Sequence, residues 1–326
     1  MGKIKVPKNH LLADSTNEFC ISAYMQDIMC YIGQQKVFED ASENILKLLM
    51  IEVNAKQIER VCHYYGEQIE QEQIKAIESG ASEENPDKQN VYVMVDGSLI
   101  FTREQGWMEM KLGRIFQKES CIQISKDRGM IDHSRYVSHL GYHQEFSQKM
   151  EYYLDNIEQK IFIADGAKWI WNWVRSTYPH AVQVLDFYHA KEHLCDFAEL
   201  QFPDEAERQQ WRDAQAVLLL NDQVEQVIIN LKNIQVKKKK IKKELKQLIQ
   251  YYQSHQHRML YKTFREKNIL IGSGPIESAH RHVIQQRLKL SGQRWTIQGA
   301  QQVANLRTMH KSNKWQTVLN LIRNAA

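Results

Sequence analysis

The chain of 326 residues is 43% hydrophobic and 25% charged, with 14 Gly and 5 Pro, a composition that supports a substantial core and excludes collagen-like or linker-like chains. No apolar run approaches the ~18 residues that cross a bilayer, and Met1 to Pro7 carry neither the apolar stretch of a secretory signal nor the hydroxyl residue of a myristoylation site, so a cytoplasmic protein is expected. Five scattered cysteines (Cys20, Cys30, Cys62, Cys121, Cys195) with no C-x-x-C pair predict reduced thiols rather than a disulfide framework or a thiolate zinc site.

The net charge of +4 divides unevenly: residues 1–90 carry −6, 91–203 carry −3, 204–277 carry +5, and 278–326 carry eight basic side chains and no acid. A terminal segment of that kind is what a phosphate-backbone contact surface looks like, which makes nucleic acid the leading partner.

Residues 1–79 have helical periodicity. Ile45, Leu48 and Leu49 form one apolar set and Ile58, Val61, Cys62, Tyr65 and Ile69 a second, at i, i+3, i+4 spacings. Asn54, with Gln57 three residues on, reads as a capping box that opens the second helix after a short turn. The pair resembles a helix-turn-helix, although the segment is net acidic and a plain helical hairpin has the same pattern. Residues 80–90 are polar, contain Pro86 and lack periodicity, and are expected to be a linker.

From Val91 the pattern becomes β. Val91–Phe101 and the alternating run Trp107–Phe116 predict neighbouring antiparallel strands, and Arg135–Leu140 a third. Residues 118–134 read as a loop. A helix is expected over Gln144–Asn156, then two strands, Ile161–Gly166 and Val182–Phe187, separated by a Trp-rich helix ending near Tyr178. Strands alternating with helices imply parallel pairing in an α/β sheet. Residues 190–270 are strand-poor and helical, with Ile234, Ile241, Leu245, Leu248 and Tyr252 as one stripe and Lys237, Lys238, Lys239 and Lys240 as a solvated or DNA-facing run. The expected organisation is therefore a helical region (1–79), a linker (80–90), a first part of an α/β core (91–189), an all-α insertion (190–270) and a final helix with a basic C-terminal region (271–326).

Three acids stand where chemistry rather than packing would place them. Asp96 interrupts a run of buried-type residues, Asp165 ends a strand, and Glu277 falls in the first turn of a helix opened by Gly272-Ser273-Gly274-Pro275, where the dipole favours a carboxylate. Functional crevices in open α/β sheets lie beyond the carboxyl ends of parallel strands, which also suits Asp186. Hard divalent cations take oxygen ligands, and three convergent carboxylates can hold two ions about 3.5–4 Å apart, the arrangement used for in-line phosphodiester chemistry.

The blocks Val95-Asp96-Gly97-Ser98, Ile163-Ala164-Asp165-Gly166-Ala167-Lys168-Trp169-Ile170-Trp171, Leu185-Asp186-Phe187-Tyr188-His189-Ala190, Gly272-Ser273-Gly274-Pro275-Ile276-Glu277-Ser278, and Arg287-Leu288-Lys289 through Gly292-Gln293-Arg294-Trp295 occur in that order. Together they resemble the ISKra-type insertion-sequence transposases of bacteria, in the Mutator-like branch of the DDE superfamily, over roughly residues 90–315. The branch's usual Gly-Met-Arg-Trp reads Gly-Gln-Arg-Trp here.

The resemblance implies an RNase H-like mixed sheet of three antiparallel then two parallel strands, interrupted by the all-α insertion. It implies Asp96, Asp165 and Glu277 as catalytic residues holding two Mg²⁺ or Mn²⁺ ions, with Asp186 as a rival ligand. Asp186-Phe187-Tyr188-His189 matches the branch's [C/D]-x-x-H signature, which places His189 near the active site, orienting DNA or water rather than binding metal. Arg281, Arg287, Lys289, Arg294, Trp295, Arg307 and Lys311 are expected to contact DNA, with Trp295 able to stack on an unpaired base. The implied activity is cleavage of element ends and 3′-OH strand transfer by a nucleoid-associated dimer or higher oligomer. A related metal-dependent DNA nuclease, or an inactive or domesticated transposase that only binds DNA, are the alternative readings.

Overall fold

Runs of Val, Ile and Tyr become strands and apolar stripes at helical spacing become helices. The computed structural model describes residues 19–83, 90–125 and 128–325. The strands are β1 (Val91–Thr102), β2 (Gly106–Gln117), β3 (Cys121–Ser125), β4 (Arg128–Ile131), β5 (Arg135–Leu140), β6 (Lys160–Ala164) and β7 (Val182–Leu185). Five of them form a mixed sheet in the order β5-β2-β1-β6-β7; β2 pairs antiparallel with β5, and β6 pairs parallel with both β1 and β7. β3 and β4 form a separate antiparallel hairpin. That corrects the loop expected over 118–134: Cys121-Ile122-Gln123-Ile124-Ser125 alternates, but so briefly that its period is masked by the polar residues around it. Of the expected linker, residues 84–89 lie outside the described residues.

The helices, in chain order, are α1 (Ala23–Gly33), α2 (Phe38–Leu49), α3 (Ala55–Glu78), α4 (His143–Leu154), α5 (Lys168–Thr177), α6 (Phe187–Gln201), α7 (Glu205–Leu220), α8 (Val224–Asn233), α9 (Lys239–His255), α10 (Tyr261–Glu266), α11 (Gly274–Ala279), α12 (Gln286–Leu288), α13 (Ile297–Lys311) and α14 (Trp315–Ala325). A π-helical turn, His280–Gln285, separates α11 from α12. None of the helices among the described residues is long and apolar enough to cross a membrane.

The chain forms two compact units that cut across the boundaries expected from sequence. Of the described residues, one comprises 19–83, 97–125, 128–157 and 278–325, and the other 90–96 and 158–277. In the first, the α3 stripe Ile58, Val61, Cys62, Tyr65 and Ile69 packs into one core with Met29, Cys30 and Ile45 and with Leu306, Val318 and Ile322. The N-terminal helices therefore share their core with α13 and α14 rather than standing alone. Gly66 makes the α3–α13 approach feasible, because a Cβ there would collide with the backbone of Gln302, and Asn305 Nδ2 donates to the Gly66 carbonyl at 3.0 Å. Asn54 caps α3, but its Oδ1 accepts from the Lys56 N–H at 2.7 Å rather than from Gln57.

In the second unit, the first half of β1 and the strands β6 and β7 carry α5 and the helices α6–α10. Ile241, Leu245, Leu248 and Tyr252 are the buried stripe of α9, and the Tyr252 hydroxyl donates to the Ala190 carbonyl at 2.6 Å. Ile234, expected on the same stripe, precedes α9 and ends α8 as its C-cap. Lys237 to Lys240 are exposed.

Candidate active site

The parallel register brings three aspartates level. Met94 pairs with Ile163 and Ile163 with Val184; two residues further along each strand stand Asp96, Asp165 and Asp186. A two-residue step returns to the same face of the sheet, so the three acids stand level, Asp96 within β1 and Asp165 and Asp186 just past the carboxyl ends of β6 and β7. Asp96 and Asp165 are half-buried, whereas Asp186 is fully buried.

Local chemistry places each one. Asp165 Oδ1 accepts from the Ala167 N–H at 3.0 Å, forming the turn into α5, and the Trp171 indole donates to the Asp165 carbonyl at 2.6 Å. Gly166 leaves room for the Tyr251 ring, which a Cβ would strike. Asp186 is the N-cap of α6, with Oδ1 accepting from the N–H groups of Tyr188 (2.6 Å) and His189 (3.4 Å). Its Oδ2 accepts from the Ser273 N–H (3.0 Å), from the Ser273 hydroxyl and from His189 Nδ1 (3.2 Å). Glu277 is exposed on the first turn of α11, its N–H donating to the Ser273 carbonyl at 3.3 Å.

Among the described residues, Asp186, His189 and Glu277 form a group of ligand-type side chains whose atoms lie within 4.8 Å of one another. Asp186, the rival ligand expected from sequence, belongs to this group, and its two oxygens also accept from the Tyr188, His189 and Ser273 N–H groups, the Ser273 hydroxyl and the His189 ring. Burial alone would raise its carboxyl; the bonds from His189, Ser273 and Tyr188 outweigh that and hold it below its ordinary value. The hydrogen bond to Asp186, opposed by burial and aided by the charges of Asp186 and Asp165, raises His189 to about 9. Without a metal the ring therefore favours its protonated form, and a cation binding there would have to displace that proton. Asp96, Asp165 and Glu277, the set expected from sequence, are all-oxygen and so of a chemistry that suits Mg²⁺ or Mn²⁺, but of the three only Glu277 belongs to the group found among the described residues.

Ser273 and Tyr251 were not singled out by sequence reasoning. Ser273 stands within the Gly272-Ser273-Gly274-Pro275 segment read as opening a helix, but its donation to Asp186 spans 87 residues. Tyr251 packs its ring against His193 at 4.4 Å. Burial, reinforced by the negative charges of Asp165 and Asp186, raises its phenol well above the ordinary value.

The residues expected to contact DNA separate by exposure. Arg281, Lys289, Arg294 and Lys237 to Lys240 are exposed, and Lys311 is half-buried. Arg287 and Arg307 are interior, at 0% and 2% exposure, and the expectation that they sit on a DNA-facing surface is corrected. Both follow apolar residues at helical spacing, Val283 and Ile284 for one and Val303 for the other, which turns them toward the core. Arg307 donates to the carbonyls of Gln34 (2.6 Å), Val283 and His282. Trp295 is half-buried and its indole donates to the Leu288 carbonyl at 3.1 Å, while its backbone pairs with β1 through Phe101 and Arg103. The chain matches no protein-family model and no curated protein.

Proposed function

We propose that the chain is a DNA transposase with an RNase H-like core, cutting and joining phosphodiesters at a centre built on Asp96, Asp165 and Glu277. The observation that carries this reading is the level row of acids on three adjacent parallel strands, Asp96 within β1 and Asp165 and Asp186 just past β6 and β7, with Glu277 brought from a distant helix to the Asp186–His189 pair. The sheet order, with an antiparallel β2·β5 edge and parallel β1·β6·β7, agrees with the mixed sheet the resemblance implies.

Asp96, Asp165 and Glu277 would hold two divalent cations, which supply Lewis acidity at the scissile phosphate and an activated water or 3′-hydroxyl. The chain's own groups do the rest. Asp186 fixes the His189 ring by accepting from Nδ1, so that the imidazolium is held with one orientation beside Asp165. A fixed cation there donates a hydrogen bond to a phosphate oxygen and offsets charge that develops in the transition state. Hydrolysis at the element end breaks the P–O3′ bond and leaves a 3′-hydroxyl and a 5′-phosphate. Attack of that hydroxyl on target DNA forms one phosphodiester and breaks another, with no covalent link to protein. Arg281, Lys289, Arg294 and Lys237 to Lys240 supply exposed charge for the backbone, and joining two ends calls for at least a dimer.

The test is a strand-transfer assay using labelled DNA that contains the chain's own coding segment and its flanks, a plasmid target, and Mg²⁺ or none, for wild type and Glu277→Gln. Metal-dependent joined products lost in the variant support the transposase. Nicks without joining assign a nuclease, and binding with neither product assigns a DNA-binding descendant.

A further inference from the structure

Phe38, His63, Arg103, Arg287, Arg294 and Trp295 line a cavity of about 480 Å³ in the unit that holds the N- and C-terminal helices, closed on one side by the first turn of α3. Arg287 is its anomaly. The side chain is completely buried, its guanidinium lies over Phe38 at 4.7 Å and over Trp295 at 4.9 Å, and its Nε donates to the Gly33 carbonyl at 3.1 Å. Its two terminal nitrogens have no hydrogen-bond partner among the described residues. Four of the five N–H donors of a buried cation are thus unused. His63 Nε2, on the same cavity wall, is also buried without a partner.

A planar fork of free donors matches the oxygens of a phosphate. The other charges around the cavity favour the same sign of ligand. Lys56 is engaged by Glu59 at 2.6 Å, which leaves Arg103, Arg287 and Arg294 against Glu39. The first turn of the 24-residue helix α3 adds its positive end. A phosphate alone would fill a small part of the space, and the remaining wall is aromatic, with an unpaired ring nitrogen able to meet the edge of a base.

We propose that this cavity is a nucleotide site. The phosphate is taken by the free edge of Arg287 with Arg103 and Arg294 at the rim, and the base lies against Phe38, His63 and Trp295. The ligand is either a free mononucleotide or the terminal nucleotide of a single strand, and the two share this chemistry. The inference does not depend on the transposase reading.

The experiment is calorimetric titration of the full chain with the four deoxynucleoside 5′-monophosphates, deoxyadenosine, inorganic phosphate and a 5′-phosphorylated single-stranded 12-mer. At least one monophosphate is expected to bind with a stoichiometry of one. Deoxyadenosine and inorganic phosphate are each expected to bind about tenfold or more weakly, since each lacks one half of the recognition. Arg287→Lys removes the fork, and the surface double variant Arg103→Gln/Arg294→Gln removes the rim while sparing the core; each should weaken the monophosphate at least about tenfold, with an unchanged melting temperature in the double variant. No monophosphate binding by wild type, inorganic phosphate binding as tightly as the monophosphates, or unaltered affinity in both variants overturns the proposal. Displacement of the monophosphate by the 12-mer assigns the site to strand ends, and its failure to displace assigns it to the free nucleotide.

Discussion

Asp186 and Arg287 are both completely buried ions, one at the end of β7 and the other beneath the α3 helix end, and they are treated in opposite ways. Asp186 has more donors than its oxygens have lone pairs. Arg287 has one acceptor for five donors. The contrast teaches that burial of a charge does not by itself reveal its purpose; the number of partners does. A saturated ion organises structure, here by tying the start of α6 to the start of α11. An unsatisfied one costs stability, and its retention is accounted for by a ligand that completes it.

The comparison can be broken most forcefully at Asp186. Asp186→Leu strands the Ser273 and Tyr188 N–H groups and a charged His189, and a loss of about 3–5 kcal/mol is expected from urea unfolding; a loss under about 1 kcal/mol would show that the cluster organises nothing. Arg307, the satisfied counterpart of Arg287, is the next test. Arg307→Met leaves three carbonyls without their donor, and the expected cost is about 2–4 kcal/mol. Arg287→Met, by contrast, removes an unsatisfied cation while keeping an apolar chain between Phe38 and Trp295, so its stability should remain within about 1 kcal/mol of wild type. A large loss there would mean that the cavity's cation is structural after all.

A further effect is expected from pH. Because His189 rises from 6.5 to about 9 on folding, its contribution is complete below about pH 6.5 and disappears as pH rises through about 9. The stability of wild type should fall across that window relative to His189→Gln, measured by urea unfolding at each pH. Imidazole resonances of His189 that titrate near 6.5 instead would dissolve the pair.

Much of the site was legible because its signals are local. An Asp that interrupts an apolar strand marks Asp96, an Asp that ends one marks Asp165 and Asp186, and the three-residue spacing from Asp186 to His189 is that of an N-cap and the third residue of its helix, which lets one carboxylate serve both backbone and ring. What could not be read is how those carboxylates divide the work, since Asp186 is saturated by Ser273 from 87 residues away. The basic C-terminal segment was read as a surface from its charge alone. Arg287 and Arg307 nevertheless follow Val283, Ile284 and Val303 at three- and four-residue spacings, a pattern that accords with their burial and that charge alone does not display. The β3–β4 hairpin escaped because strands of five and four residues are too short to display a period. The grouping of α3 with α13 depends on the Gly66–Gln302 approach, which no pattern within either helix announces.

That grouping has a consequence for synthesis. The apolar stripe of α3, from Ile58 to Ile69, is made well before Leu306, Val318 and Ile322, which cover it from more than two hundred residues further along the chain. At about 5–20 residues per second, the stripe waits on the order of ten seconds or more for its partners. During that interval a nascent chain on the ribosome exposes a helix with one oily face, which is a ready substrate for chaperones. The molecule can close this core only once α13 and α14 have been made.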